Sequence, residues 1–155
     1  MPLAGMKDSD YSSIFSINVI AGFQIAKLIS KRKNSNDSSS FVFISSITAL
    51  VGRKGIIGYS ASKGALNSGI KSMALELADR GIRANCISPG TILTPLLVKY
   101  LDTLTPEEKA KRLDGYPLGI GTPEDIAYAS VYLLSGASRW ITGQSLIIDG
   151  GYTSR

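Results

Sequence analysis

The 155-residue sequence has no histidine and a single cysteine, Cys86. A Ser-His-Asp triad is therefore excluded, and the commonest metal ligand of proteins is missing. One cysteine can form neither an intramolecular disulfide nor a cysteine-based zinc site, so we predict no metal centre. Cys86 lies between Asn85 and Ile87 in an apolar context, which predicts a small residue of the hydrophobic core.

Long apolar runs and concentrated charge are also lacking. No continuous apolar stretch approaches the length of a membrane span, and the chain does not open with a basic and then apolar leader. The net charge is +5, but the basic residues are dispersed, and their one cluster, Lys31 to Lys33, runs into a polar segment. A solvated helix end accounts for that cluster. We therefore expect a soluble cytoplasmic protein that binds neither nucleic acid nor membrane.

What is present is the pattern of one α/β domain over residues 1–155. Hydrophobic residues make up 44% of the chain, enough for a sizeable core. Apolar, β-branched runs predict buried parallel strands at Phe41–Ile44, Ile82–Ser88 and Ser145–Asp149. Helical patterns run from Asp8 to about Lys33, from about Tyr59 to Ala78, and from Thr122-Pro123 to Leu134, with a further capped helix starting at Thr105-Pro106. Three-and-four spacing predicts that the core face of the first helix consists of Ile14, Asn18, Ala21, Gly22, Ile25 and Ile29.

A hydroxyl, a phenol and an ammonium follow the first predicted strand, at Ser46, Tyr59 and Lys63. Ser46 lies at the C-terminal end of the strand, the edge of a parallel sheet where ligands bind. Tyr59 and Lys63 are one helical turn apart. An ammonium about 5 Å from a phenolate stabilises it by about 3 kcal/mol at an effective dielectric constant of about 20. Tyr59 is therefore a candidate general acid/base tuned by Lys63, with Ser46 as a hydrogen-bond donor. Alone, Y-x-x-x-K is typical of any amphipathic helix start.

The spacing S-(12 residues)-Y-x-A-S-K after a buried strand resembles the short-chain dehydrogenase/reductase family. The resemblance implies a Rossmann-like, doubly wound parallel sheet and NAD or NADP as cofactor. It implies that Tyr59 exchanges the hydroxyl proton, that Ser46 orients the carbonyl or alcohol, and that Lys63 also binds the nicotinamide ribose. Asn18, twenty-eight positions before Ser46, lies where the family has the Asn that completes a catalytic tetrad. The alternative for Asn18 is an amide that bonds its own backbone and bends the helix.

Three further stretches carry the resemblance. The string N-C-I-S-P-G-T-I-L-T, from Asn85 to Thr94, resembles the family's nicotinamide-binding motif and implies cofactor-binding roles for Pro89, Gly90, Ile92 and Thr94. A strand-ending turn would explain Pro89 and Gly90 but not Thr94. The strings P-L-G-I-G-T-P-E-D and W-I-T-G-Q-S-L-I-I-D-G-G-Y match later family stretches, with isoleucine at position 120 where arginine is usual. The glycines at 115, 119 and 121 have phosphate-loop spacing but follow a charged helix and not a strand, so we interpret them as a coincidence.

The resemblance covers only the later part of the family fold. A glycine-rich cofactor-binding half is expected before Met1, so the chain resembles a truncated or split reductase. Two functions stay open. The first is an NAD(P)-dependent oxidoreductase that interconverts a carbonyl and a secondary alcohol, similar to 3-oxoacyl-carrier-protein-reductase-like enzymes. The second is an inactive fragment that acts only as an oligomerisation partner.

Two further expectations concern partners and substrate. Small residues along the Tyr59 helix, Ala61, Ala65 and Gly69, together with the family's habit of pairing there, imply a homodimer or homotetramer. Residues 95–119 would form a lid over the site, and its apolar side chains suggest a small, apolar carbonyl or alcohol substrate: Leu96, Leu97, Leu101 and Tyr116.

Overall fold

The computed structural model describes residues 2–154. Its strands are β1 (Ser40–Ile44), β2 (Arg83–Pro89) and β3 (Ser145–Ile148). The first helical region comprises α1 (Asp8–Phe15), a π-helical turn (Ser16–Ile20) and α2 (Ala21–Ile29). The remaining helices are α3 (Ile57–Leu77), α4 (Pro95–Leu101), α5 (Pro106–Leu113) and α6 (Pro123–Leu134).

The three strands form one parallel sheet in the order β1-β2-β3. The connection from β1 to β2 runs through α3, and the connection from β2 to β3 runs through α4, α5 and α6. Alternate residues of β2 serve the two faces: Cys86 joins the core against α3, whereas Arg83 bonds the C-terminal end of α6. Helices therefore cover both faces, and the predicted Rossmann-like, doubly wound α/β fold is confirmed.

All three predicted strands are present, and their ends agree to within one residue. The capping signals at Thr105 and Thr122 also mark real helix starts, since both threonines belong to capping boxes. The short helix α4 was missed. Thr94 caps it and Pro95 occupies its first turn, the same Thr-Pro signal that identified the other two helices.

The apolar face predicted for the first helix is partly wrong. Ile25 and Ile29, expected in the core, are 57% and 42% exposed, whereas Val19 and Ala26 are buried. The π-helical turn at Ser16–Ile20 explains the difference. A π turn inserts one extra residue, and one residue rotates everything that follows by about 100° around the helix axis.

The same helix corrects the expectation that no apolar run approaches the length of a membrane span. The run Asp8–Ile29 is long enough to span a membrane, its most apolar window has a mean hydropathy of 1.4, and only 11% of that window is buried. Polar residues such as Asn18 and Gln24 interrupt the run, so no continuous apolar stretch was visible. A helix that packs inside a globular protein meets the same criterion, and one such helix is weak evidence for a membrane span.

The core lies between α2, α3 and the sheet. Leu66, Ile70 and Cys86 are 2%, 0% and 0% exposed, and the rings of Phe23 and Phe43 close the cluster in an edge-to-face contact, with centroids 5.6 Å apart. A Cβ atom on Gly69 would lie 2.4 Å from Cζ of Phe23, so this glycine leaves room for the ring. One of the three small residues expected to face another subunit therefore packs within the chain.

We expect Gly69→Ala to destabilise the fold by about 1 to 3 kcal/mol, because the methyl group displaces Phe23 from the core. Gly64→Ala in the same helix is the matched control: its Cβ would meet nothing within 4 Å. Removing a helical glycine there should stabilise the fold by about 0.5 to 1 kcal/mol. Urea denaturation of the three proteins measures both changes. Equal effects at the two positions would contradict the packing role of Gly69.

Cys86 predicts a pH dependence of stability. Burial raises the pKa of its thiol from 9.0 to about 12. Between these values the folded state keeps a proton that the unfolded state releases, so the Cys86 contribution is present below pH 9 and is lost as the pH rises towards 12. The loss approaches about 1.4 kcal/mol per pH unit. Urea unfolding of wild type and Cys86→Ala at several pH values above 9 measures this. The free energy of unfolding should fall more steeply with pH in wild type than in Cys86→Ala, and equal slopes would contradict the prediction.

Candidate functional site

Ser46 lies two residues after the end of β1 and is 9% exposed. Its Oγ accepts two hydrogen bonds from Thr48, one from the backbone N–H at 3.2 Å and one from the side-chain hydroxyl at 3.0 Å. A serine oxygen has two acceptor positions and one hydrogen. Since Thr48 occupies both acceptor positions, the Ser46 hydrogen remains for donation to another group.

Two reciprocal bonds tie α3 to the end of β1. Ser45 Oγ donates to the Lys63 carbonyl at 2.9 Å, and Lys63 Nζ donates to the Ile44 carbonyl at 2.8 Å. Lys63 Nζ also lies 5.6 Å from the centroid of the Tyr59 ring. Tyr59 itself is in the first turn of α3 and is 38% exposed. The strand end therefore positions the phenol and the ammonium together.

Burial lowers the pKa of the Lys63 ammonium below 10.5, and the opposing effect of Cys86 is smaller. Because the Cys86 thiol has a pKa of about 12, it is neutral at pH 7, and burial is the effect that counts there. Of its three hydrogens, Lys63 gives one to Ile44. The other two are available to a bound hydroxyl group.

Asn18 lies in the π-helical turn and faces α3. Its Nδ2 donates to Ser62 Oγ at 3.0 Å, and Ser62 Oγ donates to the Tyr59 carbonyl at 2.7 Å. Asn18 thus reaches the catalytic candidates through the fully buried Ser62, and it bonds none of their side chains in residues 2–154. π turns often occur at functional sites. The Asn18 amide thus donates to another helix and not to its own backbone, and its role in a tetrad stays a prediction.

A cleft of about 900 Å³ opens beside Ser46 and Tyr59. Its opposite wall comes from the segment after β2, including Gly90, Ile92 and Thr94, and from α4 and α5. This volume suits a cofactor end together with a small substrate. Of the site residues predicted from the sequence, Ser46, Tyr59, Gly90, Ile92 and Thr94 line this cleft. The others, Asn18, Lys63 and Pro89, lie outside its lining.

Gly90 and Thr94 also have structural roles. A Cβ on Gly90 would lie 2.9 Å from Asp149 Cα and 3.1 Å from the Tyr116 ring, so a larger residue would separate the ends of β2 and β3. Thr94 Oγ1 accepts the Leu97 N–H at 3.2 Å and caps α4. Its own hydrogen is still free to point elsewhere. The helix cap is therefore a second reason for a threonine at this position.

Sequence reasoning missed several cleft residues. Thr48 orients Ser46, and its signal was the hydroxyl-rich run at 45–48. Tyr116, expected as an apolar lid residue, has its hydroxyl 2.6 Å from Thr91 Oγ1, and its ring stacks on Tyr152 with centroids 4.6 Å apart. The basic side chains in the cleft, Arg53, Lys111 and Arg112, had no sequence signal, because their approach depends on tertiary packing.

The residues present fit the nicotinamide end of a dinucleotide better than its phosphate end. The hydroxyl-bearing Ser46 and Tyr59 lie on one side of the cleft, and residues of the segment 90–94 lie on the other. Lys63 lies outside the lining, and its Nζ, which has two unused hydrogens, is 5.6 Å from the Tyr59 ring centroid. At the start of α6, by contrast, Asp125 already accepts the Thr122 N–H at 2.7 Å, and Glu124 adds a second carboxylate. Two carboxylates repel a phosphate, which agrees with our interpretation of the glycines at 115, 119 and 121.

Residues 1–153 match the family model described as Enoyl-(Acyl carrier protein) reductase. The chain is 36% identical over 152 residues to a 3-oxoacyl-acyl-carrier-protein reductase of Chlamydia pneumoniae, which covers 97% of this chain and 60% of that protein. It is similar to the solved structure of a 4-hydroxyisoleucine dehydrogenase complexed with NADH, with a TM-score of 0.91 and 31% identity over 100% of this chain and 64% of that one.

Another similar structure is a blue fluorescent protein from a metagenomic library in complex with NADPH. It has a TM-score of 0.86 and 31% identity, over 99% of this chain and 60% of that one. In all three comparisons the chain spans about three fifths of the protein that it matches. The matched part includes every candidate site residue from Asn18 to Thr94.

Proposed function

Because the chain belongs to the short-chain dehydrogenase/reductase family, we propose that it is the catalytic, C-terminal portion of an NAD(P)-dependent oxidoreductase, folded as a single domain. The reaction would interconvert a carbonyl and a secondary alcohol, as in 3-oxoacyl-carrier-protein reductases. One observation carries the proposal: Ser46 and Tyr59 line one cleft, with the Lys63 ammonium 5.6 Å from the Tyr59 ring.

Tyr59 acts as the general acid in reduction. Its hydroxyl gives a proton to the carbonyl oxygen, and it takes that proton back when an alcohol is oxidised. The Lys63 ammonium stabilises the phenolate that forms, and it is fixed in position by the Ile44 carbonyl. Both residues belong to α3, so their relative positions are fixed by one turn of helix.

Ser46 stabilises the reacting oxygen. Its hydrogen is directed away from Thr48, which supplies both of the bonds that the Ser46 oxygen accepts. A donor preset in this way pays little reorganisation when negative charge develops on the substrate oxygen. Asn18 is a positioning residue in this scheme: through Ser62 it contacts the backbone of Tyr59.

The cofactor proposed is NAD or NADP, which when bound supplies or accepts the hydride. Tyr59 and Lys63 would hold the nicotinamide ribose. The residues after β2, Pro89, Gly90, Ile92 and Thr94, would hold the carboxamide. Two observations support these assignments. Gly90, Ile92 and Thr94 line the same cleft wall, and two of the three Lys63 ammonium hydrogens have no partner in residues 2–154.

Two further properties belong to this proposal. We infer a homodimer or homotetramer, because apolar side chains of the first helical region stay open, among them Ile17 at 72% and Leu28 at 54% exposure. We infer that the protein is located in the cytoplasm. The first helical region is the one long apolar helical run of residues 2–154, and its Asn18 side chain donates a hydrogen bond to Ser62 of α3, so this region packs within the protein. The alternative function is an inactive chain that serves only as an oligomerisation partner.

Tyr59→Phe tests the proposal in a protein that joins this chain to an upstream cofactor-binding segment. We expect turnover of a 3-oxoacyl thioester to fall at least about 100-fold, since the proton donor is lost. The thermal melting temperature should not change, because the removed hydroxyl is at a partly exposed side chain. Tyr128→Phe is the control, at 73% exposure and outside the cleft near Ser46. Steady-state rates that agree between Tyr59→Phe and wild type would favour the inactive alternative.

The 155-residue chain by itself should bind NADH and NADPH weakly and turn over no substrate. Within residues 2–154, no turn with the spacing Gly-x-x-x-Gly-x-Gly leads directly from a strand into a helix N-terminus, where backbone N–H groups would hold the pyrophosphate. Several charge-assisted bonds at about 1.5 to 3 kcal/mol each correspond to a loss of at least about 1,000-fold in affinity. Calorimetric titration checks this, and saturable micromolar binding would contradict it.

A further inference from the structure

The cleft beside Ser46 and Tyr59 carries positive charge on two separate segments. Arg53 comes from the loop before α3, and Lys111 and Arg112 come from the last turn of α5. Within residues 2–154 none of the three forms an ion pair, since the ion pairs there are Arg80 with Asp37 and Lys109 with Asp102. These cations are therefore not neutralised by the chain itself.

Arg112 is the most informative of the three. It is half-buried, and its Nε atom is fully buried with no hydrogen-bond partner in the part of the chain that the structure describes. A buried donor without a partner is costly, more so in a charged group. Arginine cannot avoid this cost by losing its proton. The Nε is enclosed by protein, so a ligand in the cleft would meet the two terminal nitrogens of the guanidinium, for which residues 2–154 supply no hydrogen-bond partner.

Two carboxylates also line the cleft, at Glu108 and Asp114. Glu108 caps its own helix, because its Oε2 accepts the Thr105 N–H at 2.9 Å. Asp114, just after α5, is exposed. The helix dipole favours cations in the last turn of α5 and is a sufficient reason for the exposed Lys111. It gives no reason for burying the Nε of Arg112 beside the site.

We propose that the cleft selects carbonyl or alcohol substrates that carry an anionic group, a carboxylate or a phosphate, and that Arg112 binds this group. The inference rests on the proposed function, because it assigns a substrate class to the same cleft. The planar guanidinium matches both anions in a bidentate pair, whereas Lys111 and Arg53 add charge without that geometry. With the anion held on α5, the reacting oxygen is directed to Ser46 and Tyr59 on the other wall. The apolar residues of the cleft, including Leu96 and Leu97, would contact the part of the substrate between its anionic group and its reacting oxygen.

The test is ligand binding to the full 155-residue chain, followed by NMR titration. Two matched pairs serve as probes: 4-oxopentanoate with its methyl ester, and dihydroxyacetone phosphate with dihydroxyacetone. We expect the anionic member of at least one pair to bind about 10- to 100-fold tighter than its neutral partner. The pair that shows the difference identifies the carboxylate or the phosphate as the preferred anion. The difference should shrink when salt rises from about 0.01 to 1 M, over which the Debye length falls from about 30 to 3 Å.

Variants separate Arg112 from general charge. Arg112→Gln should abolish the preference for the anion, and Arg112→Lys should restore only part of it, because the bidentate fork is lost. Arg139→Gln removes the same charge from an exposed position outside the cleft and should leave the preference intact. Equal affinities within both pairs in the wild-type chain would overturn the proposal, as would a preference that survives in Arg112→Gln.

Failure of this inference is distinct from failure of the proposed function. Binding of the anionic probes needs no turnover, so it can be observed even if the completed protein is inactive. Conversely, a completed protein that loses activity in Tyr59→Phe, yet reduces charged and neutral ketones with equal kcat/KM, would keep the oxidoreductase and exclude the anion site.

Discussion

The site depends on how the start of α3 is attached to the end of β1. Ser45 donates to the Lys63 carbonyl, and Lys63 donates to the Ile44 carbonyl, so each element satisfies a polar group of the other. The Ile44 carbonyl is at the point where the strand ladder ends, and Lys63 gives it a hydrogen-bond partner. The same ammonium is also the one beside Tyr59. The catalytic role proposed for Lys63 therefore coincides with a structural one, and burial lowers the pKa of its ammonium.

The opposite wall of the cleft is held by buried polar side chains of β2. Asn85 donates to the Ile141 carbonyl and accepts the Gln144 N–H, which fixes the loop before β3. Arg83 donates to the Leu133 and Ser135 carbonyls and so caps the end of α6. Gly90 then lets the end of β2 approach β3 closely. Asn85 and Gly90 of the motif at 85–94 thus have structural roles in the placement of this segment.

The first helical region shows where spacing alone misleads. A pattern of three-and-four positions assumes a regular helix, but the π-helical turn at Ser16–Ile20 breaks that assumption. The consequence is that Asn18 meets Ser62 of α3 while Ile25 and Ile29 turn to the outside. Gly69 is a second example. Its small size predicted a contact with another subunit, but the Phe23 ring of the same chain occupies the space beside it.

The sequence by itself determined the features that depend on neighbouring residues. Apolar β-branched runs predicted the strands, and Thr-Pro caps predicted the starts of α5 and α6. The spacing of Ser46, Tyr59 and Lys63 predicted that the serine follows a strand and that the other two lie one turn apart on a helix. Tertiary structure decided what depends on distant residues. It alone placed Asn18 on Ser62, Phe23 in the space left by Gly69, and Arg112 in the same cleft as Tyr59. The physical reason is that periodicity and capping act within a few positions of the chain, whereas these contacts arise when separate elements pack, and a short window of sequence contains no record of that packing.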